Sequence, residues 1–540
     1  MAFNHHSSSL ADNSCSPVRS FLLRKAPFFP STGHATVVAL YLAANLVITF
    51  TNMDHTLATF QTTLGSRCAW MAVGNIGVVV FLALKNTPLG YLTPWSYERL
   101  NVLHRVSGVV TVLYVILHGA LYSAYFVMGG RAAFLLQNKE IYGMVAAFSF
   151  LLLGFSGAVL RKWWYEVFYY THIIFWVVGI IMVGLHQPEF SKKIIYITCV
   201  AGAIWGADRV LRMSRLLLYS ANNTAKLEAL PNGATRVILK KGAYGAVSGQ
   251  HCFLWIPRIR LTETHPFTIV SSTATEFVVA SHNGFTRDLH KYAKNHPGCE
   301  LKASLEGPYG KMPSGATCDK LVLVAGGGGA SFTTGVALNA LKQLKNNEKM
   351  KMVFIWVMKD LSELCTIIEH LHRFIKLIIL GHYEWFSEHI STLRGDPRVS
   401  FHFHITGSTA PQAVTSSGQT TPRDDYTLEA EKNIMTKQIV PHLQTQESVM
   451  SIDSEKSITT RGAPVTVIAN VNHQGAHFSY GRPDVSKMLC AEMDSMGANE
   501  HVLVMGCGPQ GLMKEVRNTT ASRIQPGTAS VELHCEEFGW

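Results

Sequence analysis

The chain has 540 residues, too long for one hydrophobic core, so roughly two to four domains are expected. Its ten cysteines show no CxxC and no repeated spacing, which argues against a zinc site or a disulfide framework. A net charge of +11 admits nucleic acid, an anionic membrane surface or phosphorylated cofactors as partners, and the placement of the charge decides among them.

The first thirty residues hold Ser, Asn, His, Arg and Pro without the apolar centre of a signal peptide, so residues 1–33 read as a cytosolic tail. Six runs then approach the ~20 apolar residues that span a bilayer: 35–53, 69–85, 103–127, 141–160, 168–187 and 194–211. The first is the weakest, because Asn45 and several threonines interrupt it. Short loops make neighbouring helices antiparallel. Lys and Arg at the helix ends divide eleven to five, with Arg105 and Arg212 on the richer side and Arg131 and Lys139 on the poorer. The positive-inside rule therefore puts both termini in the cytosol, and the sequons at Asn222 and Asn518 with them. The charge belongs to a membrane protein, not to a nucleic-acid binder.

The third run holds His104 and His118, and the fifth holds His172 and His186. Fourteen residues is almost four helical turns, so the two imidazoles of one helix share a face, about 21 Å apart. Two such helices running in the same direction make two facing pairs at two depths. Haem needs an axial ligand on each face, and neutral imidazole is a standard one. Two bis-histidine haems stacked across the membrane are expected. His34 and His55 have no such pairing and read as interface residues. Tyr114 and Trp176 fall on the histidine-bearing stripes, four residues from His118 and His172.

Beyond residue 219 the pattern changes to short strands with Gly and Pro turns. "TRVILKK", "GQHCFLWIP" and "TEFVVASH" suggest a small barrel. "HPFTIVSS" is a further extended segment, and "GFTRDLHKY" offers Arg287 to a phosphate. From Lys320, "LVLVAGGGGASFTTGVALNALKQL" reads as strand, four glycines and helix, the arrangement in which backbone approaches a pyrophosphate. "KMVFIWVMKD", "RVSFHFHIT", "PVTVIANV" and "HVLVMGCGPQGLM" supply four more strands of a doubly wound parallel sheet. Residues 407–462, rich in Ser, Thr, Gln and charge, read as a disordered insertion.

Together these marks resemble the ferric reductase and NADPH oxidase superfamily, and within it the fungal-type ferric-chelate reductases. They are "HRVSG" at His104, the two fourteen-residue pairs, "WYEVFYYTH", "GQHCFLWIP", "HPFTIVSS", "GFTRDL", "EGPYG", the Gly-rich loop, "GRPD", "CGPQGL" and the terminal "EEFGW". The resemblance implies a six-helix transmembrane bundle with a bis-haem core over 34–218. A ferredoxin-reductase-like module would come next: an FAD-binding β-barrel over 219–315 and an α/β doubly wound NADPH-binding domain over 316–540. His265, Pro266, Phe267 and Thr268 match the flavin motif, with Phe267 against the isoalloxazine and Thr268 near its N5. Gly284, Thr286 and Arg287 would hold the FAD phosphates. Gly307, Pro308, Tyr309 and Gly310 match a turn that meets the nicotinamide nucleotide. Gly326, Gly327, Gly328 and Gly329 would cradle its pyrophosphate, and Arg482 its 2′-phosphate. Cys507, Gly508 and Pro509 match the motif beside the nicotinamide, and Trp540 the aromatic that shields the flavin. Thr268, Cys507 and Trp540 are thus the catalytic candidates, and His104, His118, His172 and His186 the haem-iron ligands.

The activity that the resemblance implies is NADPH-dependent ferric-chelate reduction. Electrons would pass from cytosolic NADPH through FAD and two b-type haems to an extracytoplasmic Fe(III) or Cu(II) chelate, as a step in iron uptake. A superoxide-generating NADPH oxidase is the alternative. The setting would be the plasma membrane, or else the vacuolar membrane. An iron-uptake permease or oxidase is the partner class implied, without a motif for one here. Two departures stand out: only about thirty polar residues precede the first span, and the nucleotide loop reads "GGGGAS".

Overall fold

A computed structural model describes residues 17–53, 59–93, 95–188, 192–313, 318–344, 349–359, 380–406, 471–473 and 476–536. His55, Trp540 and the 407–462 insertion lie outside them. Among the described residues, six helices are long and apolar enough to cross a membrane, which makes this a multi-pass membrane protein. They are α1 (Thr32–Phe50), α2 (Phe60–Ala83), α3 (Tyr97–Met128), α4 (Asn138–Phe155), α5 (Tyr165–His186) and α6 (Lys193–Ser220). A π-helical turn, Ser156–Leu160, continues α4.

Two of these helices exceed what a bilayer needs. At 32 and 28 residues, α3 and α6 run to about 48 and 42 Å against a hydrocarbon core of about 30 Å. Their surplus length reaches the soluble half, with Glu98 and Arg99 at the start of α3 and Arg212 near the end of α6. Helix α2 begins nine residues before the expected run, at Phe60 instead of 69. Hydropathy registers only the apolar stretch, whereas Gln61, Thr62 and Ser66 still fit a hydrogen-bonded helix.

The polar residues that weaken the first span fasten it. Asn75 Nδ2 of α2 donates to Asn45 Oδ1 at 2.8 Å, and Tyr41 OH also bonds Asn75. Tyr114 OH of α3 lies 2.7 Å from Thr49 Oγ1 and donates to Asn45 O at 3.2 Å. Without water to compete, such groups must satisfy one another.

The soluble half begins with two small antiparallel sheets. One orders β5 (Glu276–Ala280), β2 (Ala234–Leu239), β1 (Thr224–Leu230) and β6 (Glu300–Lys302); the other orders β4 (His265–Thr268), β3 (His251–Trp255) and β7 (Ser304–Tyr309). Their inward residues, among them Leu227, Cys252, Leu254 and Phe277, are fully buried together with Phe285 and Leu289 of helix α7 (Phe285–Asn295).

A seven-stranded sheet comes after them, in the order β11-β12-β10-β9-β8-β13-β14. Its members are β8 (Lys320–Gly326), β9 (Lys351–Lys359), β10 (Val399–Thr406), β11 (Val471–His473), β12 (Ala476–Tyr480), β13 (His501–Cys507) and β14 (Ser530–Glu536). Helices α8 (Ala330–Leu344), α9 (Ser387–Arg394), α10 (Val485–Asp494) and α11 (Gln510–Ser522) belong to the same unit. Two departures from the expected strands stand out. The parallel neighbour of β10 is "AHFSY" at 476–480, while "PVTVIANV" falls outside the described residues except for Val471 in antiparallel β11. Strand β14 pairs with β13 in parallel at the sheet edge, where its Glu and His residues interrupt the apolar run that would announce a strand.

The segment before α1 is part of this assembly. Residues 17–23 form a short helix whose Leu23 packs among the nucleotide-domain core residues. Ser20 Oγ donates to Ala521 O at 2.6 Å, and Lys25 N to Asn518 Oδ1 at 3.0 Å. Within the expected cytosolic tail, Ser20, Leu23 and Lys25 thus fasten the chain to the nucleotide domain at α11.

Candidate functional site

Four histidines face one another in two couples. His104 of α3 and His172 of α5 have ring centres 6.4 Å apart, and His118 and His186 have theirs 6.1 Å apart. Two metal–imidazole bonds of about 2 Å, with about 1.1 Å from each nitrogen to its ring centre, span roughly 6.2 Å. The rings stand at the separation that ligation from both sides requires.

Their other nitrogens are already engaged. Nδ1 lies 3.0 Å from Val79 O in His104, 2.9 Å from Gly65 O in His118 and 2.7 Å from Lys139 O in His186. A carbonyl only accepts, so each Nδ1 carries the proton. His172 Nδ1 meets Ser156 Oγ at 3.2 Å, and that hydroxyl donates to Leu153 O at 2.8 Å. His172 therefore donates as well. All four Nε2 atoms are left with a lone pair, the tautomer that ligands adopt when a second partner orients the ring. Ser156 is the first residue of the π-helical turn.

Glycine makes room for the outer couple. A Cβ on Gly143 of α4 would stand 2.6 Å from the His186 ring, and one on Gly65 would stand 2.9 Å from the Tyr122 ring. Trp176 is buried between the depths of the two couples, edge-on to Trp205. Tyr114, by contrast, turns away to α1. His34 is buried and stacked on Trp95, with Nδ1 2.8 Å from Ser31 Oγ.

A cavity of about 2840 Å³ joins the inner couple to the soluble half. It is lined by His104, His172, the whole flavin motif from His265 to Thr268, Thr286, Gly326, Gly328, Gly329, Gly508 and Pro509. The sequence motifs thus converge on one space, with exceptions. Arg287 is exposed on the first turn of α7 and does not line the cavity; Arg482 is exposed in the loop after β12.

The four glycines divide by role. A Cβ on Gly329 would stand 2.1 Å from Cys507 O, and one on Gly326 would stand 2.6 Å from Pro509 Cδ. These two let the loop after β8 lie against the loop after β13. A Cβ on Gly327, at φ +52°, or on Gly328 would meet nothing within 4 Å, which leaves their backbone open to a ligand. Cys507 itself is buried beneath Gly329.

The turn at Gly307–Gly310 lies elsewhere, at the seam with the membrane helices. Tyr309 is buried, donates to Glu306 Oε1 at 3.0 Å and packs edge-on to Tyr97 of α3. Arg212 of α6 pairs with Glu306, and Lys85, just after α2, reaches Glu306 at 3.4 Å while its Nζ sits 3.0 Å from the Phe253 ring centre. Burial opposes the charged carboxyl, yet Arg212 and Lys85 hold Glu306 down at about 2. Sequence reading missed this cluster. Glu306 stands in the quoted "EGPYG" and His251 in "GQHCFLWIP", but nothing local indicates that helices 90 or more residues away supply their partners.

Comparison with known proteins gives three matches in chain order. Residues 68–183 match a ferric reductase like transmembrane component, 219–313 an FAD-binding domain, and 318–379 with 372–521 a ferric reductase NAD binding domain. Ferric reductase transmembrane component 3 of Saccharomyces cerevisiae is 23% identical over 549 residues, covering 96% of this chain and 68% of the relative. Ferric/cupric reductase transmembrane component 1 of Candida albicans is 23% identical, covering 88% and 57%. The probable cell surface ferric reductase kap2 of Aspergillus oryzae is 24% identical, covering 94% and 79%. The chain spans less than two thirds of the length of several such relatives, 57% in the Candida case. With six membrane-length helices, an FAD-binding domain and a NAD-binding domain in this order, the chain has the fungal-type ferric-reductase architecture.

Proposed function

We propose that this chain carries electrons across a membrane, from cytosolic NADPH by way of FAD and two b-type haems to an extracytoplasmic Fe(III) or Cu(II) chelate. The supporting observation is the pair of histidine couples, at 6.4 and 6.1 Å, with every Nδ1 engaged. Among the described residues no group of three or more His, Cys, Asp or Glu is placed to hold a metal ion. Two protein ligands per site suit a haem, whose macrocycle supplies the other four. When bound, FAD would supply the conversion of a two-electron hydride donor into single electrons, the form that haem iron would accept.

The chain's own residues hold and aim these groups. His104 and His172 would hold a haem at the cavity, and His118 and His186 would hold one at the far depth. Thr268 and Phe267 line the cavity at the flavin, while the α7 N-terminus beside Arg287 favours its phosphates. Gly327 and Gly328 offer open backbone that would receive the NADPH pyrophosphate, Gly508 and Pro509 would hold the nicotinamide end, and Arg482, exposed after β12, would be the partner for the 2′-phosphate. The units are a haem domain over 34–218, a flavin barrel over 219–315 and a nucleotide domain over 316–540. Both termini are cytosolic, in the plasma or vacuolar membrane.

A dithionite-reduced spectrum and a haem count on purified protein test the reading: two b-type haems per chain are expected, and none would sink it. NADPH-dependent Fe(III)-chelate reduction should be indifferent to superoxide dismutase. Inhibition by the dismutase would assign the chain to the oxidases.

A further inference from the structure

Oxidising NADPH to NADP⁺ yields two electrons and one proton. If the electrons leave toward the histidine couples, the proton stays behind at the flavin motif, and each turnover must clear it to the cytosol. Resting on the function proposed above, this requirement calls for a base close to Thr268 that is not itself neutralised by a fixed cation.

The barrel places one there. In the antiparallel register, His251 of β3 stands opposite Thr268 of β4 and, on its other side, opposite Tyr309 of β7. Directly opposed residues share a face of the sheet, with Cβ atoms about 5 Å apart. His251 and Thr268 both line the cavity. From the membrane side, the first turn of α3 descends onto the same imidazole. Glu98 Oε1 lies 3.0 Å from His251 Nε2, and Tyr97 OH lies 3.2 Å from it. Six residues further along α3 is His104.

The groups facing His251 are Tyr97 and Glu98 from α3 and Tyr309 from β7, with Glu306 and Lys85 beyond Tyr309. Glu306 is excluded as a proton acceptor, since Arg212 binds it through both oxygens and Lys85 adds a second cation. The tyrosines are donors near neutrality. Only the Glu98 carboxylate stands close enough to receive a proton from the ring.

We propose that His251 and Glu98 form the route by which the proton of each NADPH leaves the flavin motif, so that the membrane helix α3 completes the flavin site. His251 takes the proton at one nitrogen, Glu98 stabilises the imidazolium, and the proton then passes to water in the cavity that both residues line; no electrons move in this step. Histidine suits the role because either ring nitrogen can take up or release a proton.

The test uses the full-length FAD- and haem-loaded protein with the variants His251→Gln and Glu98→Gln. Flavin bleaching by NADPH under anaerobic conditions should stay within about twofold, while flavin reoxidation by the haems should slow by at least about tenfold, toward the 10²-fold typical of a positioned proton-transfer group. Two readouts lie outside turnover. The pH dependence of the flavin midpoint potential should differ from wild type in both variants, and added imidazole should restore reoxidation in His251→Ala. An unchanged pH dependence with unchanged reoxidation, or variants slowed without imidazole rescue, would reduce the contact to packing and overturn the relay. Wild-type protein that binds neither FAD nor haem would overturn the proposed function itself, a separate outcome.

Discussion

Arg212 and Glu306, 94 residues apart, meet in a two-pronged ion pair, Nε–Oε1 at 2.5 Å and Nη2–Oε2 at 3.0 Å. One belongs to the last membrane helix and the other to a barrel strand, so the pair bolts the two halves together at the edge of the cavity. Both side chains are about nine-tenths buried or more. Breaking such a pair leaves an uncompensated charge, at a cost of about 3–5 kcal/mol, whereas replacing both partners by apolar residues is often close to neutral. Glu306→Ala should therefore loosen the barrel far more than Arg212→Met with Glu306→Leu. Protease sensitivity of the soluble half in detergent checks the ordering, and equal sensitivity in both variants would contradict it.

The same carboxyl makes the junction acid-sensitive. Its folded value of about 2 lies below the ordinary 4.5, so the charged form binds more tightly in the folded state. That stability, about 3 kcal/mol, is fully present above pH ~4.5 and is lost as pH falls toward 2. Thermal unfolding of wild type and Glu306→Gln should differ by a constant amount from pH 5 to 7 and converge below about pH 4. A difference that grows on acidification would refute the assignment.

Gly143 tests the outer histidine couple without touching a ligand. Since a Cβ there would stand 2.6 Å from the His186 ring, Gly143→Leu must displace the imidazole or part α4 from α5. The expected result is loss of about half the haem absorbance, with the inner couple retained. Gly202→Leu on α6, where a Cβ meets nothing within 4 Å and which does not line the cavity, should keep both haems. Full haem content in Gly143→Leu would mean that the outer site lies elsewhere.

Local pattern exposed much of this protein and concealed the rest for identifiable reasons. The four histidines were legible because helical periodicity turns a fourteen-residue interval into a shared face, and the glycine loop because it sits between a strand and a helix. Asn45 looked like a defect in the first span; only with Asn75 and Tyr114 in place does it become an anchor. Tyr309 was assigned through its motif to the nicotinamide, yet it packs against Tyr97 at the membrane seam, since no motif records which sheet edge meets which helix. The Glu98–His251 contact joins residues 153 apart on two domains and could be read from neither alone.

The nucleotide loop offers the sharpest separation of folding from binding. Gly329→Ala would force a methyl to 2.1 Å from Cys507 O, a backbone atom on β13 that cannot swing aside. That variant should lose the docking of the two loops, lowering thermal stability and NADPH binding together. Gly328→Ala meets nothing within 4 Å and keeps an ordinary backbone conformation, so the fold should tolerate it. Its methyl instead enters the cavity where phosphate oxygens would approach the backbone. Gly328→Ala should therefore keep the wild-type melting temperature and FAD content while raising the KM for NADPH by about tenfold or more, on the order of one lost charge-assisted hydrogen bond. Equal behaviour of the two variants would show that the glycines serve a single purpose, either loop packing or phosphate approach.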